Sequence, residues 1–147
     1  MIDELRVLVV DDAADLRFLI SLVLEEEPSW VIVGEAGDGA DAVDQAGRLD
    51  PHLVLVDAAM PVMDGLETLP RLRAVLPDAL LVMLTAFPRG TLESAADEAG
   101  ADACLDKMNL VEELVPSLRR LVDLRRLPGQ THARAARDLS ASRSTPA

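Results

Sequence analysis

Residues 5–17 read "LRVLVVDDAADLR". From Leu5 to Val10 every side chain except Arg6 is apolar, and the run is short and rich in valine. That pattern predicts a strand buried on both faces. Two adjacent carboxylates, Asp11 and Asp12, follow at once, and a segment with helical spacing comes after them. A core strand that carries two like charges to its own end spends stability, so the pair demands a compensating partner.

The same unit, strand then helix, recurs along the chain. Further short apolar runs span Trp30–Ala36, Leu53–Asp57, Leu80–Leu84 and Ala103–Leu105. Between them, apolar residues recur at helical spacing: Phe18, Leu22 and Val23; Ala40, Val43 and Ala46; Leu66, Leu69 and Leu72; Leu92, Ala96 and Ala99; then Leu110, Leu114, Leu118 and Leu121. Gly100 is placed to close the fourth helix, and Asn109 with Glu112 has the spacing of a capping pair at the start of the fifth. Pro70 and Pro116 fall inside predicted helices, where each removes one hydrogen bond and is expected to kink or delay its helix. Five such repeats imply an α/β protein, with five parallel strands and helices on both faces of a doubly wound sheet.

At 147 residues the chain suits one domain. Its core must be aliphatic, because Phe18, Phe87 and Trp30 are its only aromatic residues. The single cysteine, Cys104, fits a reducing compartment. "MIDELR" lacks the features of a secretory signal, and no apolar run reaches the ~20 residues of a membrane span. A cytoplasmic location without membrane contact is the expectation. Residues 1–116 carry 7 basic and 24 acidic side chains, whereas 117–147 carry 7 and 2. An acidic body repels nucleic acid, so direct contact with it is not expected. The division follows as a folded body over 1–126 and a basic, flexible tail over 127–147.

In a doubly wound sheet, ligands bind beyond the carboxyl ends of the strands. Those ends carry Asp11 and Asp12, then Asp57, Thr85 and Lys107. Singly each has an ordinary reading: Asp12 as a helix cap, Asp57 as a turn former, Thr85 as a strand residue, Lys107 as a solvated cation. Met60 and Met63 read as packing residues, and His52 and His132 as surface residues with no role. Jointly the strand-end residues place three carboxylates, a hydroxyl and an ammonium on one rim. Two unit charges ~5 Å apart repel by about 3 kcal/mol at an effective dielectric near 20. Lys107 offsets part of that, and a hard divalent cation, Mg²⁺, suits the remainder.

Four stretches in order, "VVDD", "LVLVDAAMPVMDG", "MLTA" and "LDK", resemble a CheY-like receiver domain of a two-component response regulator over about residues 4–125. The resemblance implies a flavodoxin-like strand order of 2-1-3-4-5. It implies that Asp57 accepts a phosphoryl group from a sensor histidine kinase or a histidine phosphotransfer protein. Asp11, Asp12, Asp57 and the backbone carbonyl of Ala59 would hold Mg²⁺. Thr85 would hydrogen-bond the phosphoryl group and Lys107 would pair with Asp57 and then with the phosphate. Gly65 would give a sharp turn into the third helix. Chemistry would be limited to self-catalysed phosphoryl transfer and self-dephosphorylation, the latter governed by Ala59 and Phe87. Output would run through the face formed by the fourth helix, fifth strand and fifth helix, to a downstream protein or a homodimer.

Three residues depart from that pattern. Met108 follows Lys107 where many receivers have a cis-proline, Cys104 stands where the family has Tyr or Phe, and Pro116 falls on the output face. A haloacid-dehalogenase-like phosphatase would need an acid at Ala59, and a flavin carrier would be repelled by Asp11 and Asp12. The alternative left open concerns context. "WVIVGEAGDGADAVDQA" resembles receivers that precede a DNA-binding domain, so the chain is either a stand-alone receiver or the receiver part of a longer regulator.

Overall fold

A computed structural model describes residues 4–128 apart from residue 89. The expected tail therefore lies, from residue 129 on, outside the described residues, and so does His132. Five strands, β1 (Leu5–Val10), β2 (Trp30–Ala36), β3 (Leu53–Asp57), β4 (Leu80–Thr85) and β5 (Ala103–Asp106), alternate with helices α1 (Ala14–Leu24), α2 (Gly39–Leu49), α3 (Gly65–Val75), α4 (Glu93–Ala99) and α5 (Leu110–Arg125). The strands form one parallel sheet in the order β2-β1-β3-β4-β5. This is the order expected.

Strand period and burial explain the layers. Leu8, Val10, Val54, Val56, Leu81 and Met83 point to one face, where α2, α3 and α4 cover them. Their chain neighbours Val7, Val9, Leu53, Leu55, Val82 and Leu84 point to the other, against α1 and α5. Both faces are apolar because both are covered, so the central strands read as unbroken hydrophobic runs.

Several local expectations change. Phe18 is 63% exposed and Leu22 is also exposed, while Ile20 and Leu24 carry the buried stripe of α1. That helix is apolar on most sides, so spacing alone selected its outer face. Ala40 is likewise exposed and Ala42 is buried in its place, while Ala46 is buried as expected. Asp12 does not cap α1, whose flanking Ala13 has no side-chain cap and instead donates its N–H to Asp11 Oδ1 at 2.9 Å. Asn109 makes no capping bond either. A 3₁₀ turn, Lys107–Asn109, precedes α5, and Asp106 caps that turn by accepting from the Met108 N–H at 2.7 Å. Pro70 and Pro116 interrupt neither α3 nor α5. Beyond α5, Arg126 turns left-handed at φ 54° and the Leu127 N–H reaches back to the Val122 carbonyl at 3.0 Å, a Schellman-type ending. Leu127 packs on the core, so the packed body extends past residue 126.

Candidate functional site

The register of the sheet assembles the site. Val10 pairs with Val56, so the next residues, Asp11 and Asp57, leave neighbouring strands side by side. The order reverses between β1 and β3, which opens a crevice at their carboxyl ends. Asp57 pairs with Leu84, putting Thr85 one step beyond, and Thr85 pairs with Asp106, the residue before Lys107.

Burial makes the charges consequential. Asp11 is 1% exposed, Asp57 3% and Thr85 6%. Lys107 Nζ lies 2.7 Å from Asp57 Oδ1 and 3.0 Å from Asp11 Oδ2, bridging two buried carboxylates. Burial pushes the Asp57 carboxyl above its ordinary range; Lys107 works against that and Asp11 adds to it. Burial alone would lower the Lys107 ammonium, but its bonds and charge contacts with Asp57 and Asp11 outweigh this and raise it. Lys107 therefore stays charged. Every peptide bond among the described residues is trans, including the one before Met108.

Asp11, Asp12 and Asp57 each offer a carboxylate oxygen, and these oxygens lie within 4.8 Å of one another. The buried Asp11 Oδ2 has Lys107 Nζ at 3.0 Å as its partner, and that one ammonium is shared with Asp57. A buried carboxylate oxygen that must share its only cation with a second carboxylate keeps part of its desolvation cost. Its position beside two further carboxylates fits a hard divalent cation. The pocket, about 360 Å³, is also lined by Ala59, Leu16 and Phe87. The Ala59 N–H donates to Asp57 Oδ1 at 3.3 Å.

Supporting groups were not visible in the motifs. Arg17 donates to the Asp11 backbone carbonyl at 2.6 Å and pairs with Glu35 at 3.0 Å, fixing the acidic loop against β2. Only an arginine one turn into the helix after an acidic pair hinted at this. Gly65 earns its place differently from the expectation. Its φ is not left-handed, but a Cβ there would lie 2.5 Å from the Asp57 carbonyl oxygen. The helix start therefore packs directly on the strand end that carries Asp57. Met60 is buried as expected, whereas His52 is not a bare surface residue: its Nδ1 accepts the Arg6 N–H at 2.9 Å.

A doubly wound sheet with three carboxylates, a lysine and a threonine at its switch point defines a signalling receiver by both fold and site. The chain belongs to the response regulator receiver domain family of two-component signalling, whose sequence profile matches residues 7–119. Protein-glutamate methylesterase/protein-glutamine glutaminase 4 of Myxococcus xanthus is 42% identical over 106 residues, 71% of this chain and 30% of that protein. Transcriptional regulatory protein PdtaR of Mycobacterium tuberculosis is 39% identical over 117 residues, 80% of this chain and 56% of that protein. The chain thus spans well under two thirds of these curated relatives. Among solved structures, the response regulator domain of Thermotoga maritima CheB superposes with a TM-score of 0.73 at 28% identity, covering 80% of this chain and 95% of that one. Vibrio cholerae CheY4 gives 0.72 at 27% identity, covering 80% and 98%. No described helix is long and apolar enough to cross a membrane.

Proposed function

We propose that this receiver accepts a phosphoryl group on Asp57 from a histidine-phosphorylated donor, either a sensor histidine kinase or a histidine phosphotransfer protein. The observation that carries the reading is Lys107 bridging Asp57 and Asp11 at 2.7 and 3.0 Å, one ammonium shared by two buried carboxylates. An Asp57 carboxylate oxygen attacks phosphorus in line; the bond from phosphorus to the donor imidazole nitrogen breaks, and the imidazole keeps that electron pair. Positioning and charge neutralisation supply the rate in such a transfer. Asp11, Asp12, Asp57 and the Ala59 carbonyl would hold Mg²⁺, which neutralises charge on the transferring group. Lys107 exchanges its contact with Asp57 for one with the phosphoryl oxygens, and the Thr85 hydroxyl donates to another. Self-dephosphorylation is the reverse demand on the same pocket, a water attacking phosphorus and releasing Asp57.

The signalling unit would be the body expected over 1–126, extended by the packed Leu127, with the basic remainder up to residue 147 appended to it. Partners on this reading are proteins, with output through the surface of α4, β5 and α5, in the cytoplasm and without direct nucleic-acid contact. The matched relatives are longer than the matched segment, which supports a second reading of output, through a DNA-binding or other effector domain in the same polypeptide. The mass of the native protein separates the two. For the chemistry, beryllofluoride with Mg²⁺ should give a bound fluorine resonance in the wild type and none in Asp57→Asn. A bound resonance that persists in Asp57→Asn contradicts the assignment, and Asp12→Asn should weaken Mg²⁺ binding.

A further inference from the structure

A second cleft, about 370 Å³, lies between α5, β5 and the loop that leads from β4 to α4. It and the acidic pocket share two wall residues, Thr85 and Phe87. These two are tied: the Phe87 N–H donates to Thr85 Oγ1 at 3.0 Å. A hydroxyl can accept one bond while donating another. If Thr85 donates toward the acidic pocket, it keeps Phe87 attached and moves the wall of the second cleft.

The inner walls of this cleft are apolar, with Leu92, Cys104, Leu110 and Leu114 beside the half-exposed Phe87 ring. Among the described residues its lining also carries Glu93, Asp106 and Glu113 against one cation, Arg120. Cys104 is half-buried, and burial followed by the charge of Glu93 raises its thiol above the ordinary range, so it serves as a small neutral wall. A space of this size lies within the range of ligand-binding pockets. A ring seated here can stack on Phe87 and touch the Cys104 sulfur, interactions that favour it over an aliphatic side chain.

We propose that this cleft receives an aromatic side chain of a partner protein, carried next to a lysine or arginine, and that loading of the Asp57 pocket changes its affinity. This deepens the reading above by naming the chemistry of the output partner. The excess of carboxylates among the described lining residues selects the cationic neighbour. This chain itself is a poor source of the ring. It has no tyrosine, Trp30 is buried, and residues 129–147 contain no Phe, Tyr or Trp. Phe87 already forms the wall, which leaves only Phe18 of a second copy.

The test titrates the full ¹⁵N-labelled chain with the peptides acetyl-Lys-Trp-Lys-amide and acetyl-Lys-Leu-Lys-amide. The Trp peptide should shift the amides of Thr85, Phe87, Leu92, Cys104 and Ser117 and bind about fivefold more tightly than the Leu peptide. Cys104→Phe, which fills the cleft from within, should abolish that difference, and Cys104→Leu, a smaller change, should reduce it. Mg²⁺ with beryllofluoride should change the Trp-peptide affinity by about fivefold or more. Equal binding of the two peptides, or shifts spread over the acidic body, overturns the ring site. An unchanged preference in Cys104→Phe does the same, as does self-association that Phe18→Ser removes. Equal affinity with and without bound beryllofluoride overturns the coupling. If beryllofluoride fails to bind, the Asp57 reading fails, while the peptide arms still decide the cleft.

Discussion

Lys107 reaches across β4 to place its ammonium 2.7 Å from Asp57 Oδ1, joining the ends of β3 and β5 in one buried ion pair. Removing the cation leaves Asp57 facing Asp11 with nothing between them. Lys107→Met should therefore lower stability at pH 7 by about 3 kcal/mol in urea denaturation without divalent cations. Adding Asp57→Asn should restore most of the loss, because the repulsion disappears with it. A double variant no more stable than Lys107→Met would show that the pair is not coupled.

The raised Asp57 carboxyl gives a pH signature of its own. Its folded pKa exceeds the ordinary 3.8, so the native state binds the proton more readily than the unfolded chain. Relative to the charged form, its contribution to stability is fully present below 3.8 and lost as pH rises through the folded pKa. Without divalent cations, Asp57→Asn should be more stable than wild type at pH 7. That advantage should vanish below pH 3.8, as thermal melts at the two ends will show.

His52 has the opposite dependence. Its Nδ1 accepts the Arg6 N–H at 2.9 Å, so the neutral ring is the bonded form. Burial and then Arg6 lower its pKa below 6.5, with Asp50 opposing. Here the unfolded chain takes the proton first. Stability is present above 6.5 and lost as pH falls from there toward the folded pKa. His52→Asn keeps an acceptor but cannot titrate, and should lose about 1 kcal/mol less than wild type between pH 7.5 and 5.5. Identical losses would remove His52 from the account.

Val62 sits at φ 68° in a turn closed by the Met63 N–H on the Pro61 carbonyl at 2.7 Å. A β-branched residue there is strained. Val62→Gly should gain about 1 kcal/mol net, relief of roughly 2 against the ~1 lost to glycine's freedom. Val62→Ala keeps a Cβ and should gain little. Equal effects of the two in urea denaturation would argue against strain.

Much of this architecture was readable because burial on both faces imprints itself as unbroken apolar runs, and because the site residues lie at the ends of four strands. The sheet order needed the family resemblance. Harder to read was whatever depends on three-dimensional proximity without a repeating pattern. Arg73 is the clearest case: it donates to the Ala79 and Gly100 carbonyls, each at 2.7 Å, and to Asp102 at 2.8 Å, pinning α3 to the starts of β4 and β5. Nothing in the periodicity of "LPRLRAVLP" separates it from Arg71, which is exposed. The capping of the turn before α5 was misplaced for a related reason. Asp106 and Asn109 both have capping chemistry, and the 3₁₀ turn that decides between them is a product of packing.

The central claim is that Asp57 is the phosphoacceptor. Its most direct test is intact mass after incubation with Mg²⁺ and phosphoramidate. The wild type should gain one phosphoryl group, Asp57→Asn should gain none, and Asp12→Asn should gain it more slowly. An added phosphoryl mass on Asp57→Asn equal to that on the wild type would contradict the account.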